Sequence, residues 1–289
     1  MNKYILAGVV VVLILAARLV PAAQQDFSKV EIKTQKLPGS VYMLEGAGGN
    51  IGVSAGPDGV LVIDDQFAPL ADKIKAAVKG ISDKPMKFLL NTHYHGDHTG
   101  GNEIFGREAL VIAQTNVRTR LVNQNKAQSA LPVVTYDNSV SLHFNGEEIK
   151  ISHYPNGHTD GDSVIYFTKS NVAHLGDDFT PGRYPIADLG AGGDVEGLAR
   201  NLGMIINSLP ADVTVIPGHG PLSKLDDVRK YRTIIAESTD FVRKQMAAGK
   251  SLDQIKAEGF PASFAQWGPA YAKSDNWVQT VYNSLSRKK

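Results

Sequence analysis

The 289-residue sequence has no cysteine. That absence excludes a disulfide framework, a cysteine-ligated zinc finger and a thiol nucleophile. Net charge is nearly absent too: 30 basic residues face 29 acidic ones, which leaves no electrostatic footprint for nucleic acid. There is no Gly-x-Ser-x-Gly elbow to carry a serine nucleophile and no Walker loop, and Gly46–Gly52 has the wrong spacing for a dinucleotide fingerprint. What remains is ordinary globular composition, 43% hydrophobic and 20% charged, in a chain long enough for one large domain or two small ones. Any metal must be held by His, Asp and Glu.

Residues 1–23 read as a targeting segment. Lys3 supplies the positive start, Ile5–Ala17 is an apolar run ended by Arg18, and Val20-Pro21-Ala22 offers small residues for cleavage. The run is short of the roughly 20 residues of a membrane span, so a signal peptide is expected, with an uncleaved N-terminal anchor as the alternative. Either places the body, residues 24–289, across a membrane, periplasmic or secreted. The membrane is then met only through the N-terminal segment, if that segment stays uncleaved.

The body alternates strands and helices. The pattern predicts strands at Val30–Thr34, Ser40–Leu44, Asn50–Ser54 and Val60–Ile63, then a helix over Pro69–Val78. Strands follow at Lys87–Asn91 and Val111–Ala113, with the polar stretch Thr92–Asn102 between them and a helix over Thr115–Lys126. Further strands are expected at Val133–Thr135, Ser139–Phe144, Glu148–His153, Ser163–Phe167, Val172–Leu175 and Val213–Ile216. Helices are expected at Val195–Ser208 and Leu222–Ala248, with short helices and packing aromatics to the C-terminus. Such an order suggests sheets with helices outside them.

The eight histidines carry the information. His143, His153 and His174 lie inside apparent strands and read as ordinary structural residues. The other five fall in polar, glycine-containing turns after apolar strands, where loops present side chains for binding. Thr92-His93-Tyr94-His95-Gly96-Asp97-His98-Thr99 packs three imidazoles and a carboxylate into six positions, which no helix or strand period explains. Neutral imidazoles gathered with an anion suit a borderline divalent ion such as zinc. Asn156-Gly157-His158-Thr159-Asp160-Gly161-Asp162, His174-Leu175-Gly176-Asp177-Asp178 and Pro217-Gly218-His219-Gly220 repeat the grammar at later strand ends.

The ordered set His93-x-His95-x-Asp97-His98, His158, Asp177, His219 resembles the metallo-β-lactamase superfamily. The resemblance implies an α/β fold, a four-layer αββα sandwich with C-terminal helices, with the site at one edge of the two sheets. It further implies that His93, His95 and His158 hold one zinc ion and that Asp97, His98 and His219 hold the other, with Asp177 bridging; iron or manganese are alternatives. Asp64, after Val60–Ile63, matches a family carboxylate that supports the site from behind. Two such cations lower the pKa of a shared water, and Asp97 can orient that water and take its proton, so Asp97 is the expected catalytic residue.

The expected partner is a small-molecule substrate, with no nucleic acid. A β-lactam-type substrate comes first, because an exported enzyme meets such drugs and Pro217-Gly218-His219-Gly220 is similar to the secreted lactamases. Asp177 instead stands where several lactamases have Cys or Ser and resembles glyoxalase II and related thioesterases. Thr180 occupies the position of a lactamase lysine. The alternatives are therefore a lactonase or thioesterase of glyoxalase II type, an iron oxygenase of the same fold, or a non-catalytic metal-bound binding protein. Arg183 is a candidate anchor for a substrate carboxylate, Phe67, Phe179 and Tyr184 are candidate pocket walls, and Gly46–Gly52 is a candidate flexible hairpin over the site.

Overall fold

The computed structural model describes residues 26–268, 271 and 275–287. The targeting segment expected at 1–23 lies outside the described residues. Among those residues no helix is long and apolar enough to cross a membrane.

Two sheets form the centre. The first has seven strands in sequential order: β1 (Lys33–Lys36), β2 (Val41–Glu45), β3 (Ile51–Gly56), β4 (Gly59–Ile63), β5 (Met86–Leu90), β6 (Leu110–Gln114) and β7 (Val134–Tyr136). Its first four strands pair antiparallel and β4 to β7 run parallel. The second sheet has six strands: β8 (Ser139–Phe144), β9 (Glu147–His153), β10 (Ser163–Phe167), β11 (Val172–His174), β12 (Thr214–Ile216) and β13 (Ser223–Lys224), ordered β13-β12-β11-β10-β9-β8.

Strand alternation builds the layers, because successive side chains point to opposite faces. In β4, Leu61 and Ile63 enter the core between the sheets, where they meet Ile165 and Phe167 of β10. Val60 and Val62 point outward onto Leu70 and onto Ile74 and Val78 of α1 (Ala71–Ile81). Ala173 and Val215 of the second sheet point away from the first and are covered by α5 (Val195–Ser208) and α6 (Leu225–Ala247), with α7 (Leu252–Glu258) and α8 (Asp275–Ser286) completing that layer. Counting outward from α1, the order is helix, sheet, sheet, helix, which is the expected αββα sandwich with helices at the C-terminal end.

Several boundaries differ from expectation for identifiable reasons. Residues 30–32 do not pair as a strand; the carbonyls of Phe27, Ser28 and Val30 are taken by Lys73 Nζ, and β1 starts at Lys33. The helix expected to run to Lys126 ends as α4 (Thr115–Asn123) because Asn125 turns left-handed at φ 55°. The long helix begins at Leu225, since Ser223 and Lys224 pair with β12 and the Lys224 N–H donates to Asp227. Within the polar stretch Thr92–Asn102, Gly96–Thr99 forms one helical turn, α2, and α3 (Asn102–Phe105) follows.

Candidate metal centre

The site forms at one end of both sheets, where β4, β5, β11 and β12 deliver their following residues. Asp64 follows β4, His93 follows β5, Asp177 lies just beyond β11, and His219 lies just beyond β12. His158 arrives on the loop between β9 and β10. The α2 turn folds Asp97 and His98 back over the end of the sheet, with the amides of His98 and Thr99 both donating to the His95 carbonyl at 3.0 Å.

All seven side chains expected at the site meet there. His93, His95 and His158 form one group of donor atoms, Asp97, His98 and His219 a second, and Asp177 joins His93 and His98 in a third, each within 4.8 Å. Asp177 faces both sides: Oδ1 lies 3.3 Å from His98 Nε2 and 3.5 Å from His219 Nε2, and Oδ2 lies 3.7 Å from His158 Nε2. His143 is exposed, and His153 binds the Asp162 carbonyl through Nδ1.

Outer hydrogen bonds decide which ring nitrogens carry protons. His158 Nδ1 donates to the Ile186 carbonyl at 2.5 Å, which leaves Nε2 bare. His95 Nε2 meets Asp188 Oδ2 at 3.0 Å, which leaves Nδ1 bare. Thr92 Oγ1 gives its proton to Asp64 Oδ2, so its contact with His93 Nδ1 at 3.0 Å needs the imidazole as donor, and His93 Nε2 is bare. The three bare nitrogens face one another, with His95 Nδ1 at 3.1 Å from His93 Nε2 and 2.9 Å from His158 Nε2. Three lone pairs at such separations repel unless a cation sits among them. In the second group, His98 Nδ1 donates to Asp64 Oδ2 at 2.7 Å and turns Nε2 toward His219 Nε2, 3.3 Å away. Asp177 Oδ1 is buried there without a hydrogen bond. This donor set, imidazoles and carboxylates with fixed outer partners, fits divalent zinc, iron or manganese.

Burial and neighbouring charge bias protonation differently in the two groups. Burial, reinforced by neighbouring imidazoles, holds His93 well below the usual imidazole range and lowers His95. Burial opposes charge on His98 as well, but Asp177 and Asp64 outweigh it and raise His98 well above that range. His219 follows the same logic: Asp177 and Asp97 overcome its burial and push it up to about 9. Burial would raise Asp177, yet His98, His219 and His158 hold it well below the carboxylate range.

The surroundings revise other expectations. Asp64 acts as a support, binding Thr92 N, Thr92 Oγ1 and His98. Phe179 is buried against Tyr231 and lines a cavity with Tyr231, Trp267 and Tyr271, whereas Tyr184 stacks on Trp277. Thr180 is also buried, with its hydroxyl on Tyr231. Phe67 packs on Phe27, and Arg183 is exposed. The Gly46–Gly52 hairpin is docked, with Gly49 N donating to Asp97 O and Gln66 Nε2 donating to Gly49 O. A side chain at Gly49 would overlap the His98 ring.

Three features escaped the sequence reading. Asp188 holds both His95 and the Tyr94 hydroxyl, and the Ile186 carbonyl orients His158. Beneath His158 lies a buried carboxyl pair, Asp162 and Asp178, both raised by burial, with Asp178 raised further by Asp162. Asp162 and Asp178 stand in the turns read around His158 and Asp177, but nothing local marks their pairing or the roles of Asp188 and the Ile186 carbonyl.

Comparison with known proteins agrees with this geometry. The sequence model of the family described as the metallo-beta-lactamase superfamily matches residues 36–219. A hydroxyacylglutathione hydrolase of Pelagibacter ubique is 30% identical over 152 residues, 50% of this chain and 57% of that protein. One of Nitrosococcus oceani is 30% identical over 133 residues, 45% of this chain and 47% of that protein. The chain therefore spans about half the length of these curated relatives. Among solved structures, a metallo-beta-lactamase from Pontibacter korlensis superimposes with a TM-score of 0.63 at 17% identity, covering 71% of this chain and 99% of that one. The DIM-1 metallo-beta-lactamase gives 0.63 at 17%, covering 73% and 100%.

Proposed function

Because the chain belongs to the metallo-beta-lactamase superfamily, we propose that it is an exported metal-dependent hydrolase that opens an ester, thioester or amide bond of a small molecule. The observation that carries this reading is the convergence of bare imidazole lone pairs fixed from outside by Asp188, Ile186 O and Thr92. His93, His95 and His158 would hold one ion and Asp97, His98 and His219 the other, with Asp177 between them. Divalent ions supply Lewis acidity there, lowering the pKa of water toward neutrality and polarising a carbonyl.

The chain's own residues account for the proton. The Asp97 side chain is 30% exposed, the most open of the carboxylates at the clusters, and its Oδ2 lies 3.2 Å from His219 Nε2. Burial opposes its ionisation, but His219 and His98 keep it below the ordinary carboxylate range and so ionised. Asp97 takes a proton from the attacking water and returns it to the departing heteroatom, so that water adds across the cleaved bond. The buried backing by Asp64 and the docked hairpin keep the groups oriented throughout.

For substrate class, Asp177 in the bridging position and relatives named hydroxyacylglutathione hydrolase support an ester or thioester first. A β-lactam, placed first from the sequence alone, is the second reading and is favoured by the Pro217-Gly218-His219-Gly220 turn. Purified protein assayed by metal analysis and against thioesters, lactones and β-lactams tests both. Turnover of thioesters above β-lactams supports the first reading, and the reverse order supports the second. Metal-free protein with no turnover on the panel would refute the proposal. Export is tested by fractionating cells that express the full chain; retention in the cytoplasm would contradict it.

A further inference from the structure

We infer that Asn50 is the positioning residue for the second group, Asp97, His98 and His219, an assignment that rests on the reading of these groups as ion sites. Four of the five clustered histidines are fixed by a partner on the outer ring nitrogen: Thr92 for His93, Asp188 for His95, Asp64 for His98 and the Ile186 carbonyl for His158. His219 differs. Among the described residues its Nδ1 has no hydrogen-bond partner, and the side chain is 21% exposed.

Its position is set through the backbone instead. The Asn50 amide donates to Gly218 O at 2.7 Å, and Asn50 Nδ2 donates to Pro217 O and Gly220 O, both at 2.9 Å. One buried side chain thus ties the carbonyls on either side of His219. The Asn50 carbonyl accepts from His174 Nε2 at 3.0 Å, and His174 Nδ1 accepts from Gly176 N at 3.1 Å, so the same knot reaches the loop that carries Asp177. From the other side, Gly218 N donates to Gly176 O and Phe179 O. Asn50 also lies in the Gly46–Gly52 hairpin, next to Gly49, which lies against the His98 ring. His174, which read as an ordinary strand histidine, is therefore part of the scaffold of the second group.

At this reach asparagine supplies two side-chain donors from Nδ2 beside the backbone donor that binds Gly218 O. Asn50→Asp keeps the shape but turns an oxygen toward two carbonyl oxygens; Asn50→Ala removes the side-chain link. The test titrates the chelator-stripped full chain with cobalt(II), following its visible bands. Wild type is expected to take up two equivalents. In both variants one equivalent weakens by about 10–100-fold, the range for partners that orient a metal ligand, while the other keeps its affinity. The band that survives should match the one left in His219→Ala, and adding Asn50→Asp to His219→Ala should change cobalt binding no further. Asn50→Ser, which keeps the backbone donor, gives the same comparison if Asn50→Asp does not fold. Two equivalents bound by the variants with wild-type affinity, or a loss shared equally by both, overturns the assignment. A wild type that binds no cobalt overturns the ion-site reading itself, and with it the assignment.

Discussion

The two ends of the sandwich treat buried polar groups in opposite ways. At the end remote from the clusters, the buried carboxylate of Glu147 accepts from Ser40 Oγ, Ser170 Oγ, Lys169 N and Ser170 N, so both oxygens are satisfied within the chain. At the site end, the outer ring nitrogens of four of the five clustered histidines are satisfied in the same manner, but the inner faces meet as lone pairs and an unbonded Asp177 oxygen. Polar burial stabilises a fold only when the groups find partners. The remote end is complete as folded, whereas the site end is complete only with positive charge at its centre.

That contrast can be broken by substitution. His95→Ala deletes a donor outright, so affinity in the first group should fall by more than the about 10–100-fold seen when only an outer partner is lost, and turnover should fall with it. Metal content and circular dichroism check this; a metal-replete variant with unchanged turnover contradicts it. Glu147→Ala should act in reverse, costing about 1–3 kcal/mol for each donor left unpaired, with metal content unchanged. Denaturant melts measure the first effect and metal analysis the second; a loss of metal would show that the two ends are not separable. Asp188→Asn keeps the shape but weakens the hold on His95, so metal affinity should drop about 10–100-fold while stability is nearly preserved, and Asp188→Glu should recover part of it.

The smallest effect is on pH dependence. In the ion-free chain His219 titrates at about 9 against an ordinary 6.5, so its contribution to stability is complete below pH 6.5 and is lost as pH rises through 9. The melting temperature of the stripped protein should therefore decline across that window, and that of the loaded protein should not. A stripped protein that grows more stable over the same range would contradict this.

The comparison also marks how far the sequence could be read. Ser163–Phe167 and Val195–Ser208 have the expected boundaries, because a buried alternating strand and a helix capped by Asp194 are written locally. The clustered histidines and aspartates were legible because each follows an apolar strand, and strand ends of one sandwich come together. Asp188, Ile186 O and Asn50 were not, since each acts on residues far along the chain: Asn50 and Gly220 are 170 positions apart, and Asp188 and His95 are 93 apart. A polar residue in a loop looks the same whether or not the fold carries it to a ligand.

Calorimetric titration of the stripped chain with zinc, repeated in buffers of different ionisation enthalpy, addresses the centre of the account. Two equivalents are predicted, with protons released on filling the second group, where His98 and His219 are raised, and none on filling the first, where His93 and His95 are lowered. Absent binding, or binding that survives His95→Ala and His219→Ala together, would contradict it.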